Sequence, residues 1–211
     1  MDLLVSKLMV SGANLVLFIT IPFITWMVVG RKTASFFNWL GLKKIQHKLN
    51  SSDLLIILGV LAVTLLVGPF GFNLLKNING LMPEGASMGT FEFSGRGVSA
   101  LPAILVQSLF NTSLLEEVFF RGFLLKRFSN RLGFALRNTT QALLFGLMHS
   151  IFLFLAGKVI LAIIITLFTG LFGWLSGYIT EKKFAGSILP SWCIHGVGNV
   201  ISSSLIAFSL L

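Results

Sequence analysis

The sequence predicts an all-α, polytopic membrane protein of about six transmembrane helices, with an interfacial amphipathic helix beside them. Three observations carry this. The chain is 55% hydrophobic and only 11% charged, whereas a soluble domain carries about 25% charged residues, and its mean hydropathy is +0.91. Apolar stretches of about 20 residues, the length a helix needs to cross a bilayer, recur along it. The basic residues cluster in alternate connections between those stretches. At 211 residues the chain should form one domain, 1–211.

The first span covers about residues 8–30, with Pro22 at an expected kink. This run is too long for a signal-peptide core and lacks a small-x-small cleavage site, so it reads as a retained helix. The second span covers about residues 54–75. The third begins near Val98 and reaches the interface at Lys126 and Arg127. The fourth, fifth and sixth cover about residues 138–156, 159–180 and 187–210. Pro190 falls in the first turn of the sixth, where proline is tolerated. Between the first two spans, "FFNWLGLKKIQHKL" interleaves apolar and basic residues at roughly helical spacing, as an interfacial amphipathic helix does. The longest external connection is 76–97, and no internal repeat is visible.

The charges orient these spans. Arg31, Lys32, Lys43, Lys44 and Lys48 lie in the first connection. Arg121, Lys126, Arg127, Arg131 and Arg137 lie at or after the end of the third span, and Lys182 and Lys183 after the fifth. Twelve of the 16 Lys and Arg residues thus fall on one side, leaving Lys7, Lys76, Arg96 and Lys158 on the other. The positive-inside rule makes the rich side cytoplasmic and puts both termini outside. The formal charge of +9 is then topological and gives no reason to expect nucleic acid as a partner; the partner is the lipid bilayer. One cysteine, Cys193, allows no intrachain disulfide.

Against this background "SLLEEVFFRGFLL" (residues 113–125) is unusual, because two of seven acidic residues stand inside an apolar span. An ionisable side chain near the bilayer centre costs roughly 2.5–3.5 kcal/mol and faces the protein interior. Glu116 lies ten residues before Lys126, about 15 Å deep at ~1.5 Å per residue. Glu117 and Arg121 are spaced i, i+4 and can pair, while Glu116 points away with no local cation. His149, in "FGLMH", lies at similar depth in the fourth span. His195 and Asn199, in "HGVGN", project from one face of the sixth, with Gly196 and Gly198 leaving room for a neighbouring backbone. The small-xxx-small run "GWLSG" (residues 173–177) reads as close helix packing.

The chemistry narrows by exclusion. Asp2 and Asp53, the only aspartates, are not deep in spans, which excludes a two-aspartate intramembrane protease. There is no HExxH zinc motif and no GxSG-type nucleophile motif. Cys193 lies on a different helix face from His195 and makes a poor nucleophile–base pair. A glutamate-activated water remains: Glu116 as base, His149 holding the water, and His195 and Asn199 as oxyanion donors.

These motifs, in this order on three helices, resemble those of the CPBP family, also called the Abi or CAAX-protease-and-bacteriocin-processing family. "EEVFFR" resembles its EExxxR, "FGLMH" its FxxxH and "HGVGN" its HxxxN or HxxxD motif, and the likeness covers residues 99–210. It implies an intramembrane glutamic endopeptidase with its centre between the third, fourth and sixth helices. Glu116, His149, His195 and Asn199 would be catalytic, with Glu117, Arg121 and Phe145 supporting them. The substrate would be a membrane-anchored or lipidated peptide or protein. No cofactor is expected, although the family has been discussed as metal-dependent and Glu116, His149 and His195 are residue types that bind zinc. Two other functions compete: a non-catalytic immunity or peptide-binding protein, and a proton-coupled transporter, for which the expected inverted repeats are missing. Size, helix number and the lack of an organelle signal place the protein, by analogy, in a prokaryotic plasma membrane.

Overall fold

The computed structural model describes residues 3–46, 49–66, 68, 90–127 and 132–210. Its regular elements are all helical, with no strand among the described residues. Helix α1 is Leu3–Thr25 and continues in wider π turns to Gly30. Then come α2, Phe36–Leu40, and α3, Ser51–Leu65. Helix α4 is the long segment Gly97–Arg127. Helices α5, Phe134–Leu155, and α6, Val159–Tyr178, form a hairpin, and α7 is Leu189–Ala207.

Four of these segments are long and apolar enough to cross a membrane: Leu3–Gly30, Gly97–Arg127, Phe134–Leu155 and Val159–Lys183. The protein is therefore a multi-pass, all-helical membrane protein, as expected. The other two anticipated spans are helical as well. Helix α3 is a shorter apolar helix, and most of the expected stretch beyond it lies outside the described residues. Helix α7 is 19 residues long, but its serines, His195 and Asn199 dilute its apolar content.

The interfacial segment is shorter than its pattern suggested. Helix α2 ends after five residues at Gly41, whose φ of 89° is a left-handed cap that only glycine adopts without strain. Trp39 and Leu40 are buried against Val118, Phe123 and Ile188. A cage of main-chain bonds pins the turn. Lys126 Nζ donates to the carbonyls of Leu40 and Gly186, Ile188 N–H donates to Gly41, and Arg127 Nη2 donates to the Trp39 carbonyl while its guanidinium covers the Trp39 ring. At this same end, Asn50 and Asp53 cap α3 reciprocally and Asp53 faces Lys183 at 3.6 Å. Lys43, Lys126, Arg127, Lys182 and Lys183 thus belong to one end of the bundle. Lys7 pairs with Glu92 at the other end.

Small residues set the spacing of α4 from its neighbours and of α5 from α6. A Cβ on Gly122 would run into the Leu40 carbonyl, one on Gly146 into the Thr166 carbonyl, and one on Gly196 into Leu109. The "GWLSG" run packs as read. Gly173 and Gly177 lie against α5, where Asn138 Nδ2 donates to the Trp174 carbonyl at 2.8 Å and Gln141 Nε2 to the Gly173 carbonyl at 2.9 Å. In an apolar solvent each such bond contributes on average about 0.6 kcal/mol and also fixes register. Helix α1 joins α4 through Asn14 Nδ2, which donates to Asn111 Oδ1 at 2.7 Å. Trp192 Nε1 of α7 donates to the Leu109 carbonyl at 2.8 Å.

Candidate active site

Helix α4 carries two runs of π turns, Val106–Leu114 and Glu117–Leu124, and Glu116 stands between them. Such turns are rare and gather at functional sites. Helices α5 and α7 bring His149 and His195 to this point. Glu116 Oε2 lies 3.9 Å from His149 Nε2 and 3.8 Å from His195 Nε2. That oxygen is buried and has no hydrogen-bond partner among the described residues. The Glu116 side chain is 14% exposed and His149 is 32% exposed, so the centre is reachable on the His149 side.

Both histidines are oriented from behind. His149 Nδ1 lies 2.8 Å from the Phe145 carbonyl, one turn back on its own helix. A carbonyl only accepts, so Nδ1 carries a hydrogen, and Nε2 is the nitrogen turned toward Glu116. His195 Nδ1 lies 3.2 Å from Glu117 Oε1, so the same argument applies to it.

Glu117 is fully buried and has three partners. Oε1 receives His195 and faces Arg121 Nη1 at 3.3 Å; Oε2 receives the Ser191 hydroxyl at 2.7 Å. The expected i, i+4 pair is present, and it also grips α7. Arg121 is fully buried, and its nitrogens make no well-formed hydrogen bond among the described residues. The cation rests on aromatic faces instead, with Cζ 4.4 Å from the Phe145 ring centre and 5.5 Å from that of Phe172. Desolvated contacts of this kind contribute about 2 kcal/mol each. Phe145 meets this cluster in three ways: its carbonyl lies against His149 Nδ1, its face against Arg121, and its ring against both imidazoles.

Asn199 stands one turn beyond His195, and its Nδ2 donates to Thr112 Oγ1 and Ser113 Oγ, both at 3.1 Å. Its amide hydrogens are thus directed at α4 rather than freely into the centre. Sequence reasoning missed Ser191, Thr180, Phe172, Thr112 and Ser113. Ser191 had a signal, since it precedes His195 by four residues on one helix face; Thr112 likewise precedes Glu116 by four. Thr180 and Phe172 had none, because only the tertiary fold brings α6 to this point.

Zinc needs arms of 2.0–2.1 Å, which places tetrahedral neighbours about 3.3–3.4 Å apart. The spans of 3.8 and 3.9 Å are wider than that. Among the described residues no group of three or more His, Cys, Asp or Glu side chains is disposed to hold a metal. In this arrangement the donors do not fit a zinc ion.

Residues 97–201 match the family model described as type II CAAX prenyl endopeptidase Rce1-like. The chain belongs to the CPBP family. The match begins where α4 begins and takes in α4 to α6 and most of α7, so every CPBP motif residue named above lies inside it. No curated protein and no solved structure matches the chain. CPBP membership makes the protein a membrane-embedded protease of the CAAX type, with a peptide or protein as the class of substrate.

Proposed function

We propose that this protein is an intramembrane glutamic endopeptidase in which Glu116 activates the hydrolytic water. The observation that carries the reading is the buried, unpartnered Glu116 Oε2 facing two imidazole Nε2 atoms at 3.9 and 3.8 Å. Gaps of that width are each bridged by one water with hydrogen bonds of about 2.8 Å. In this mechanism the water gives one proton to Glu116 and directs its other hydrogen to His149 Nε2. Its oxygen attacks the scissile carbonyl carbon. The developing oxyanion is met by His195, which has first taken a proton from solvent at Nε2 and then, as an imidazolium, donates from Nδ1 to Glu117 and from Nε2 to the oxyanion, returning that proton to solvent when the tetrahedral species collapses. Asn199 is the second donor, and one of its bonds to Thr112 or Ser113 opens to reach the oxyanion. Protonated Glu116 then passes its proton to the leaving nitrogen as the C–N bond breaks.

The substrate class is a membrane-anchored or lipidated peptide or protein entering from the cytoplasmic half of the bilayer. The gathering of basic residues at the Lys126 end, ten residues along α4 from Glu116, supports that side of entry. The same asymmetry supports both termini outside.

Cleavage of a panel of membrane-anchored and prenylated peptides by purified protein, with and without a strong chelator, tests the reading. The expected result is cleavage that chelator leaves intact and Glu116→Gln abolishes. Loss to chelator with recovery on adding zinc would replace the water-only mechanism with a metal-assisted one. Tight binding of the peptides without turnover would replace it with a sequestering function.

A further inference from the structure

The two imidazoles are held by different means. His149 is oriented by a main-chain carbonyl, which cannot rotate. His195 is oriented by a carboxylate, whose last torsion is broad and roughly two-fold. Something must therefore fix the Glu117 carboxylate plane. Arg121 contributes charge, but no well-formed hydrogen bond. Ser191 Oγ, at 2.7 Å from Oε2, is the hydroxyl that pins the far oxygen.

Ser191 has a competing acceptor, the Ile188 carbonyl at 3.0 Å. Thr180, from the π turns Ile179–Lys183 that continue α6, places its Oγ1 3.1 Å from Ser191 Oγ. With Thr180 donating to the Ser191 oxygen, the single Ser191 hydrogen is left to bond Glu117. The chain of donors is then directional: Thr180 to Ser191, Ser191 to Glu117 Oε2. Glu117 Oε1 remains the acceptor for His195 Nδ1–H. Thr180, Ser191 and Glu117 are fully buried and His195 is nearly so.

We propose that Ser191, backed by Thr180, is a positioning residue that sets the protonated nitrogen of His195 through Glu117. This rests on the reading of His195 as a partner of Glu116. The alternative is that the hydroxyls only glue α6, α7 and α4 together. In that case their loss lowers stability but leaves His195 unchanged.

The chain has three histidines, His47, His149 and His195, so side-chain nitrogen NMR of ¹⁵N-histidine-labelled protein is tractable, with Glu116→Gln, Ser191→Ala, Ser191→Thr and Thr180→Val prepared in parallel. His195 should show a protonated Nδ1 in the wild type and a mixture of tautomers in Ser191→Ala, with the wild-type pattern restored in Ser191→Thr. In cleavage assays Ser191→Ala should lose about 10- to 100-fold in kcat with little change in KM, as partners that orient functional histidines do. Thr180→Val touches nothing on Glu117 and should shift both readouts the same way by less. It is also the variant to use if Ser191→Ala fails to fold. Unchanged His195 signals in Ser191→Ala, or in Thr180→Val in its stead, overturn the proposal, whatever happens to stability. If the wild type cleaves nothing, the proposed function fails, and the nitrogen signals still decide the role of Ser191.

Discussion

Arg121→Met is the most informative single perturbation of the buried ion pair. The substitution keeps an unbranched apolar side chain between Phe145 and Phe172 and removes only the cation. Glu117 is then a fully buried carboxylate without its counter-charge. Breaking a buried pair in this way costs about 3–5 kcal/mol. Here His195 and Ser191 still donate to Glu117 at 3.2 and 2.7 Å, which puts the expected loss near the lower end, about 3 kcal/mol. The loss of two cation–π contacts adds to it. The double variant Glu117→Gln/Arg121→Met has no charge left to strand. Its amide still offers an oxygen to His195, so it should recover much of the loss. Unfolding followed by fluorescence of the four tryptophans, in mild detergent titrated with a denaturing one, measures both variants. Arg121→Met within about 1 kcal/mol of wild type, or a double variant no more stable than the single, would refute the claim that charge pairing holds this site.

Other expectations concern the surroundings. Gly146→Val drives a side chain into the Thr166 carbonyl, which belongs to backbone and cannot rotate away; overpacking costs typically about 1–3 kcal/mol, so thermal unfolding should begin at lower temperature. A wild-type melting curve for that variant would mean that α5 and α6 are not this close. Asn199→Ala should lower kcat by about 10²–10³ if its amide meets the oxyanion. A drop confined to stability would instead assign Asn199 to the bonds it makes with Thr112 and Ser113.

How much of this was readable in advance depended on whether a relationship lay within one helix or between two. Glu117 and Arg121 are i, i+4 neighbours, so their pairing follows from spacing alone, and the structure has it at 3.3 Å. The isolation of Glu116 followed from the same geometry. That Glu117 also receives His195 and Ser191 could not be read, because it depends on how α7 is rotated against α4. Asn199 shows the same gap: its helix face was legible, but Thr112 and Ser113 as its partners were not. The fold was legible where apolar runs were long. It was least so at the interfacial segment, where a helical pattern spans Gly41 but the left-handed cap and the Lys126 bonds end the helix there. For α7, the polar residues His195 and Asn199 are among those that weaken its signal as a span.

The central claim is a division of labour between adjacent carboxylates, Glu117 holding the site and Glu116 doing the chemistry. It is tested most directly by measuring peptide cleavage and thermal unfolding on Glu116→Gln and Glu117→Gln side by side. Glu116→Gln is expected to melt like the wild type yet turn over slower by on the order of 10²–10⁴-fold, the usual contribution of a general base. Glu117→Gln should melt earlier, because Arg121 loses its partner. Cleavage by Glu116→Gln at the wild-type rate, or a fall in its stability as large as that of Glu117→Gln, would contradict it.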